Sequence, residues 1–293
     1  MPKTAPVGQV APASVAIVTP SYNQAPFIGK AIESVLEQDY PNVEYLVVDA
    51  GSTDGTLDIL RSFGDRIRWI SEPDSGQGEG VDKGIRLTGG EIIGWLNADD
   101  LYAPGAITSA LDALEGNQSA PGVYGNAVFI DADGREIGPC THVEPFSLNR
   151  LINHLDFIVQ PATFFRRTAY QSARGLDWGL HYCLDYDLMI RLGRQAPLLY
   201  LPRVQAFVRV YPSTKTASGG LSRLDEIERM IKRHGRGSLP RFFQREMVTV
   251  AWQELKQGVS GRRWRRAGRG AMELARYGPR VAARRVATVV RRK

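Results

Sequence analysis

Two stretches decide the fold, VAIVTPSYNQ (15–24) and VEYLVVDAGSTDGT (43–56). Each begins with a continuous run of β-branched and other apolar residues, which is typical of a strand buried on both faces of a sheet. Between them FIGKAIESVLEQ (27–38) has apolar residues at helical spacing, and Pro26 suits the first turn of that helix. A strand, a helix and a strand at this spacing predict a βαβ unit with parallel strands.

The alternation of helices and strands continues along the chain. The sequence predicts, in order, a helix near 56–63, a strand at 67–71, a helix at 77–88, a strand at 91–97, two strands around DADG (131–134), a helix at 147–155, a strand leading into a short helix at 160–167, a helix at 185–195 and a strand within 198–210. We therefore predict the α/β class, with a mostly parallel central sheet flanked by helices.

Polar clusters follow three of the predicted strands, at the point where each strand ends. They are SYNQ (21–24), DAGSTDG (49–55) and NADD (97–100). In open α/β sheets ligands bind outside the carboxyl ends of the strands. The sequence therefore predicts a ligand site where these three clusters meet.

The composition excludes several classes of protein. About 43% apolar and 23% charged residues is ordinary for a globular chain. No apolar run approaches the length of a membrane span, and the first 13 residues have no apolar core, so we expect a disordered lead-in rather than a secretory signal. Cys140 and Cys183 lack the spacing of a metal site, as do the four histidines, which favours a cytoplasmic setting with reduced thiols.

The net charge of +6 is unevenly distributed. Residues 1–222 carry a net charge of −8 and residues 223–293 a net charge of +14. Such a split indicates two parts with different partners. We predict an α/β domain at 14–220, with halves at 14–120 and 121–220, and a basic helical extension at 221–293.

Two carboxylates in NADD suit a hard divalent cation. Mg²⁺ and Mn²⁺ prefer oxygen ligands and are often held by one or two carboxylates together with substrate phosphates. Asp99 and Asp100 follow a buried strand, as such a site requires. The alternative is that they cap the next helix.

Asp49 opens the second polar cluster. A carboxylate there can accept hydrogen bonds from a base or a ribose, whereas the alternative is a residue that only shapes an Asx-turn. The glycine-rich segment SEPDSGQGEGVDKGI (71–85) lacks the lysine pattern of a P-loop and the GxGxxG of a dinucleotide site. Both of those enzyme classes therefore lose support.

Asp185 and Asp187 lie on either side of Tyr186 at a predicted helix start. Residues two apart do not share a helix face. One carboxylate can face a cleft as a general base while the other satisfies the helix amides. The alternative is that both serve the helix terminus.

Six motifs in this order resemble family 2 glycosyltransferases with the GT-A fold. They are VTPSYNQ (18–24), ESVLEQDYPNVEYLVVDAGSTDGT (33–56), SEPDSGQGEGVDKGI (71–85), GEIIGWLNADDLYAPGAI (90–107), QPATFFRR (160–167) and LDYDLMIRL (184–192). The resemblance covers roughly residues 14–215. It implies an enzyme that uses a nucleoside-diphosphate sugar, typically with uracil as the base.

The resemblance assigns the site residues as follows. Asp185 matches the catalytic base, and Asp99 carries the role of holding Mg²⁺ or Mn²⁺, with Asp100 as a further candidate. The residues implied for the donor are Pro20, Ser21, Tyr22, Asn23, Asp49, Ser52, Asp54, Gln77, Lys83, Asn97 and Asp99.

Three positions depart from the family pattern. The first acid of the DxD motif is Asn97, and the acid that usually precedes the base is Leu184. Tyr211 stands where related sequences often carry a histidine that helps to hold the metal or the diphosphate. A protonated tyrosine is a poor ligand for these cations, so we expect weaker metal dependence, or positive charge supplied by Lys215.

The resemblance implies inverting transfer to a hydroxyl of a carbohydrate or of a lipid-linked sugar, in bacterial surface polysaccharide or glycolipid synthesis. The alternative is a non-catalytic protein that binds nucleotide sugars on the same fold. Because the basic residues form no recognisable nucleic-acid module and the body is acidic, we do not expect nucleic-acid binding.

The arginine-rich segments 241–257 and 271–293 predict basic helices. Val281, Val286, Val289 and Val290 can share one face, which suits the inner surface of an anionic membrane. The alternative is a pair of helices packed on the catalytic domain with solvated arginines.

Overall fold

The computed structural model describes residues 13–235, 237, 239–261 and 263–290, with the backbone alone at Trp264 and 280–290. Apart from Ala13, the predicted lead-in therefore lies outside the described residues, as do the side chains of the predicted apolar face at 281–290.

Nine strands are formed by the described residues. They are β1 (Val15–Ser21), β2 (Val43–Asp49), β3 (Arg68–Ser71), β4 (Ile92–Trp95), β5 (Leu101–Tyr102), β6 (Gly122–Ile130), β7 (Glu136–Pro139), β8 (Thr163–Arg166) and β9 (Leu199–Arg209).

Eleven α-helices accompany these strands in the part of the chain that the structure describes. They are α1 (Ile28–Leu36), α2 (Thr56–Ser62), α3 (Gln77–Arg86), α4 (Ala106–Glu115), α5 (Leu148–Asn153), α6 (Arg167–Ser172), α7 (Leu184–Gly193), α8 (Lys215–Ser218), α9 (Gly220–Arg233), α10 (Arg241–Ser260) and α11 (Trp264–Val290).

The strands form one sheet in the order β3-β2-β1-β4-β8-β6-β9-β5, with β7 paired to β6. The pairs among β1, β2, β3 and β4 are parallel. From β8 onward antiparallel pairs join the sheet, although β6 and β9 are parallel. The predicted mostly parallel arrangement thus describes the N-terminal half, and the complete sheet is mixed.

Successive side chains of the central strands enter different cores. Val18 and Val48 pack with α3, whereas Ile17 and Val47 pack with α1 and α4 on the opposite face. Close packing of α3 on β1 requires Gly84, because a Cβ there would lie 2.3 Å from a methyl of Val18. Helices therefore cover both faces, and the strand ends remain for a ligand.

The local predictions hold with small differences. Helix α1 begins at Ile28, and Pro26 lies in the turn before it rather than in its first turn. The backbone N–H groups of Phe27 and Ile28 both donate to the carbonyl of Gln24, which closes this turn ahead of the helix.

The C-terminal helices share the main hydrophobic core. Leu224 and Ile227 of α9 and Phe243 and Met247 of α10 belong to the same cluster as Tyr186 of α7. The division at residue 220 therefore stays a prediction, and apolar packing crosses it. Across the described residues, no helix combines the length and apolar character needed to cross a membrane.

Candidate active site

The three predicted polar clusters meet at one edge of the sheet. The N–H of Ala50 donates to the carbonyl of Ser21 at 2.8 Å, and that of Leu96 to the carbonyl of Val18 at 3.1 Å. These bonds extend the parallel pairing beyond the ends of β2 and β4. The loops after β1, β2 and β4 are thereby adjacent.

The first two loops interlock through side chains. The N–H of Asn23 donates to Oγ of Ser52 at 2.7 Å, and the N–H of Thr53 donates to Oδ1 of Asn23 at 2.8 Å. Asp54 accepts from the N–H of Ala25 at 3.0 Å. Asn23, Ser52 and Asp54 therefore fix the shape of the loops after β1 and β2, and Asn23 has a left-handed φ of 52°.

Tyr22 and Ser21 are the members of this loop best placed to meet a ligand. The side chain of Tyr22 is 60% exposed. Oγ of Ser21 is buried, and among the described residues it has no hydrogen-bond partner. Pro20 lies beneath Gly80 of α3, whose added Cβ would be 3.8 Å from the proline ring.

Asp49 is fully buried, and its carboxylate accepts hydrogen bonds from its own loop and from the end of β3. Its Oδ2 accepts from the N–H groups of Gly51 and Ser52 at 3.0 and 2.9 Å and from the hydroxyl of Ser71 at 2.7 Å. Its Oδ1 accepts from Oγ of Ser52 at 2.5 Å. This geometry agrees with the Asx-turn alternative, and contact between Asp49 and a base stays a prediction.

Asn97 is the centre of an amide network beneath the site. Its Oδ1 accepts from Nε2 of Gln77 at 2.7 Å and from Nε1 of Trp95 at 3.0 Å. Its Nδ2 donates to Oε1 of Gln160 at 2.9 Å and to Oδ2 of Asp100 at 3.2 Å. An aspartate could not donate these last two bonds, which explains why asparagine stands at the first position of the motif.

Lys215 extends this network toward the cleft. Its Nζ donates to Oε1 of Gln77 at 2.8 Å and lies 3.4 Å from the carbonyl oxygen of His181. Burial lowers the pKa of Lys215, and the charges of Asp185 and Asp99 oppose that shift. One ammonium group therefore lies within electrostatic reach of the predicted base Asp185 and of the predicted metal ligand Asp99.

Asp99 faces the site more openly than Asp100 does. Tyr211 donates its hydroxyl to Oδ2 of Asp99 at 2.8 Å, and burial raises the pKa of this carboxyl. Asp100 is 4% exposed and accepts from the N–H of Arg209 at 3.0 Å and from Asn97. Burial and the charge of Asp99 raise the pKa of Asp100 well above its usual range.

The alternative that these aspartates cap the next helix is wrong. The strand β5 follows them directly, and α4 begins after Gly105, which occupies the N-cap position. The two carboxyl groups instead bond to residues of the last strand and its extension. Asp99 and Asp100 are thus held by tertiary contacts with Arg209 and Tyr211.

The donor set fits a cation that also needs substrate oxygens. Among the described residues, no group of three or more His, Cys, Asp or Glu side chains could hold a metal by itself. Tyr211 bonds to one oxygen of Asp99, and a single carboxylate combined with phosphate oxygens is a common way to bind Mg²⁺. The site residues therefore suit a cation that arrives with a diphosphate.

Lys83 lies at the same edge of the sheet. Its Nζ is 3.0 Å from Oε1 of Glu72, and its side chain is largely buried. Glu72 directly follows β3. Lys83 thus ties α3 to the end of β3, and its contact with a donor stays a prediction.

The two aspartates of α7 have different surroundings. Asp187 is buried, with Nε of Arg191 at 2.7 Å from Oδ2 and Nε2 of His234 at 2.8 Å from Oδ1. Burial alone would raise the pKa of Asp187, but His234 and Arg191 lower it. Asp187 thus joins α7 to the end of α9, rather than satisfying the helix amides as predicted.

Asp185 is the partly exposed acid of this helix start. Burial raises the pKa of its carboxyl, and the charges of Lys215 and Arg223 oppose the shift. A carboxylate with a raised pKa is a better general base near neutral pH.

Sequence reasoning missed three residues around this site. Asp156 is close enough to interact with Asp185, and burial together with the Asp185 charge raises its pKa well above the usual range. Gln160 anchors the Asn97 network through a bond from its Nε2 to the carbonyl of Trp95 at 2.5 Å. Glu226 accepts from three N–H groups at the start of α7. Asp156 and Glu226 lie in none of the motifs, and the role of Gln160, which opens the motif QPATFFRR, depends on partners that are distant in sequence.

Two solved structures share this fold. Staphylococcus aureus TarS in complex with UDP-GlcNAc has a TM-score of 0.60 at 15% identity, covering 74% of this chain and 65% of that one. A mannosyltransferase from Pyrobaculum calidifontis, in complex with GDP-Man and Mn²⁺, has a TM-score of 0.60 at 18% identity, covering 95% and 80%. These likenesses show the GT-A fold.

Relatives found by sequence are named as glycosyltransferases or polysaccharide synthases. An uncharacterized glycosyltransferase of Rickettsia typhi is 28% identical over 251 residues, covering 80% of this chain and 74% of the relative. Chondroitin synthase of Escherichia coli is 29% identical, covering 65% of this chain but 28% of the synthase. The chain thus spans about a quarter of that synthase.

The family model described as glycosyl transferase family 2 matches residues 16–174. This match covers more than half of the chain and includes the loops after β1, β2 and β4. The chain therefore belongs to glycosyl transferase family 2 and is a glycosyltransferase.

Proposed function

We propose that the chain transfers a sugar, with inversion, from a nucleoside-diphosphate sugar to an acceptor hydroxyl, with a UDP-sugar as the first donor to test. The observation that carries this proposal is the position of Lys215. Its ammonium bonds to Gln77 beside Asn97, and its charge acts on both Asp99 and Asp185. One ammonium group would thereby serve both the donor diphosphate and the general base.

The donor half of the site handles negative charge. Lys215 offers a cation for the diphosphate, whose charge grows as the bond to the anomeric carbon breaks. Asp99 is the residue that would hold Mg²⁺ or Mn²⁺, which would supply further positive charge to the leaving group. Ser21 offers the nucleotide a hydroxyl at the end of β1 that has no hydrogen-bond partner in the described part of the chain.

The acceptor half needs a proton acceptor. Asp185 takes the proton of the acceptor hydroxyl while that oxygen forms its bond to the anomeric carbon. The bond from this carbon to the diphosphate oxygen breaks in the same displacement, so the configuration inverts. Since no covalent sugar–enzyme intermediate is formed, no activated nucleophile is required.

The acceptor that we propose is a carbohydrate or a lipid-linked sugar used for bacterial surface polysaccharide or glycolipid. Chondroitin synthase and hyaluronan synthase are among the relatives by name, and this chain covers 28% and 20% of their lengths. We further propose that the protein acts in the cytoplasm at the inner face of the cell membrane, where lipid-linked acceptors are present.

A donor screen tests this function. UDP-, GDP- and dTDP-sugars are compared by thermal shift and by release of the nucleoside diphosphate, with Mn²⁺ and with excess chelator. We expect one nucleotide class to raise the melting temperature and to be turned over, and Asp99→Ala to lose the metal-dependent part of binding. Asp58→Asn, a change at an exposed acid of α2, is the control.

Two results would contradict the proposal. Donor binding without turnover in the presence of acceptors would favour the alternative of a non-catalytic nucleotide-sugar-binding protein. Full activity of the enzyme in excess chelator would exclude the metal role of Asp99.

A further inference from the structure

The outward face of α10 carries cations and apolar side chains but no acid. Seven of its exposed residues recur at spacings of three or four positions, so they form one stripe along the helix. We call this face the α10 stripe; it consists of Arg241, Phe242, Arg245, Thr249, Trp252, Lys256 and Val259.

The apolar members of the α10 stripe are half exposed. Phe242, Trp252 and Val259 keep 53%, 50% and 50% of their surface in solvent. Nζ of Lys256 lies 5.2 Å from the centre of the Trp252 ring. Met272 of α11 is a further exposed apolar side chain of the C-terminal helices, at 61%.

The described acidic residues of the C-terminal helices lie off the α10 stripe, although Asp225 and Glu246 keep 35% and 32% of their side-chain surface in solvent. Glu246 pairs with Arg223, and Glu254 pairs with Arg266. In α9, Asp225 and Glu228 pair with Arg269 and Arg276, while Glu226 bonds to the start of α7. Glu273 is 6% exposed.

The positive charge of the α10 stripe is consequently uncompensated. None of its three cations forms an ion pair with another described residue, whereas the arginines on the inner faces are paired. Three of the cations in the basic segment 223–293, Arg241, Arg245 and Lys256, therefore lie together on this exposed face.

We propose that the α10 stripe docks on the surface of an anionic phospholipid bilayer. The stripe runs from Arg241 to Val259, which is 19 residues of helix and about 27 Å at the usual rise per residue, and this length suits a helix lying in the membrane plane. Phenylalanine and valine would enter the headgroup boundary, and the indole would lie at the interface, as tryptophan prefers. The cations would meet lipid phosphates.

The charge and the apolar side chains of the stripe favour a membrane over a second copy of the chain or a nucleic acid. A second copy of the chain would bring the same positive stripe against itself in a symmetric contact. A nucleic acid would use the cations, but it offers nothing comparable for the aliphatic side chain of Val259. The membrane accommodates both kinds of side chain at once.

The experiment uses point variants of the full chain. Truncation near residue 220 would remove α9 and α10 from the main core, so loss of binding would have no clear cause. Co-sedimentation is measured with phosphatidylglycerol-containing vesicles and with pure phosphatidylcholine vesicles. The test variant is Arg245→Glu/Lys256→Glu, and the control of equal charge change is Arg61→Glu/Arg66→Glu on exposed residues of the catalytic part.

We expect the wild-type chain and the control to bind the anionic vesicles. Losing two cations near such a surface should weaken binding by about 25-fold, at about fivefold for each, and reversal should weaken it more. Trp252→Ala should also weaken binding, and added salt should weaken it in wild type.

Three outcomes would overturn the proposal: equal binding by the test variant, equal loss in the control, and retention on random duplex DNA with no binding to either vesicle. This readout is independent of the proposed transferase reaction. Vesicle binding, with folding checked by thermal unfolding, can succeed even if no donor is turned over, and donor turnover in vesicle-free solution should be unchanged in the test variant.

Discussion

Glu226 of α9 caps the helix that carries Asp185. One oxygen of its carboxylate accepts from the N–H groups of His181, Tyr182 and Cys183 at 2.9, 2.5 and 3.1 Å. Cys183 is the N-cap residue of α7, where a backbone N–H has no partner within the helix, and His181 and Tyr182 are the two residues before it. A residue beyond the predicted domain boundary thus fixes the proposed general base.

We predict that Glu226→Ala destabilises the fold and slows transfer. Leaving a buried donor unpaired costs about 1–3 kcal/mol, and three donors share this acceptor. A small displacement of Asp185 should lower kcat more than donor affinity, because the base acts only as the acceptor is attacked. Urea unfolding and steady-state kinetics measure both effects.

The matched control is Asp225→Ala, the neighbouring acid of α9. Its partner is Arg269 of α11, and the pair is partly exposed. This variant should keep kcat close to that of wild type. If it reduces kcat as much as Glu226→Ala does, the effect belongs to α9 as a whole and the capping account is wrong.

Replacing the two acids of α7 separately tests which one is the base. Asp185→Asn keeps the shape and removes proton acceptance, so turnover should fall by about 10²–10⁴ with donor affinity little changed. Asp187→Asn should instead cost about 1.5–3 kcal/mol of stability, because hydrogen bonds with the charged carboxylate are lost. Loss of turnover in Asp187→Asn alone, with a stable fold, would reverse the assignment.

How far the sequence predicts this molecule depends on the range of the contacts. Apolar patterns a few residues long predict the strands β1, β2 and β4 and the helices between them. Because these strands are parallel neighbours, the same patterns predict that the polar loops at their ends lie together. The two-residue strand β5 has no such pattern, since it exists because Leu101 and Tyr102 pair with β9.

The contacts that orient the predicted site residues are not local. Glu226 bonds to residues 43 to 45 positions away, and Tyr211 is 112 positions from Asp99. The acids and arginines of residues 223–293 are predicted as a basic tail, but their partition into paired inner faces and an unpaired α10 stripe follows from the packing of three helices. The net charge of such a segment can be read from the sequence, but the helix face that each charged side chain occupies cannot.

The pH dependence of transfer should report the raised pKa of Asp185. Since burial raises this pKa and only the ionised form accepts a proton, kcat/KM should fall as pH decreases through a value above about 3.9, the usual pKa of aspartate. This fall of kcat/KM at low pH is the acid limb of the pH profile. Because Asp156 interacts with Asp185, the acid limb reports the titration of the two carboxyl groups together.

Lys215→Met should move that limb to higher pH. The ammonium of Lys215 favours ionised Asp185, and its removal leaves the effect of burial less opposed. Lys256→Met, on the outer face of α10, removes the same charge far along the chain from α7 and should leave the limb in place. If kcat/KM of Lys215→Met fell over the same pH range as that of wild type, the charge of Lys215 would not influence the general base.

The amide network predicts that restoring the usual acid at position 97 is harmful in this chain. In Asn97→Asp the new carboxylate can still accept from Gln77 and Trp95, but it cannot donate to Gln160 or Asp100. An unpaired Gln160 oxygen and a second carboxylate beside Asp100 should cost about 1–3 kcal/mol.

The cost in Asn97→Asp should grow as pH rises. A carboxyl group buried beside Asp100 should have a raised pKa, and below that pKa its proton can replace one of the two hydrogen bonds that the amide of Asn97 donates. Above that pKa this donor is lost, and the carboxylates at positions 97 and 100 repel each other. Urea unfolding at neutral and at mildly acidic pH measures this, with Asn117→Asp at an exposed position as the control. A variant as stable as wild type at neutral pH, or one that Mn²⁺ stabilises more than wild type, would mean that side chain 97 turns toward the cation instead of holding Gln160 and Asp100.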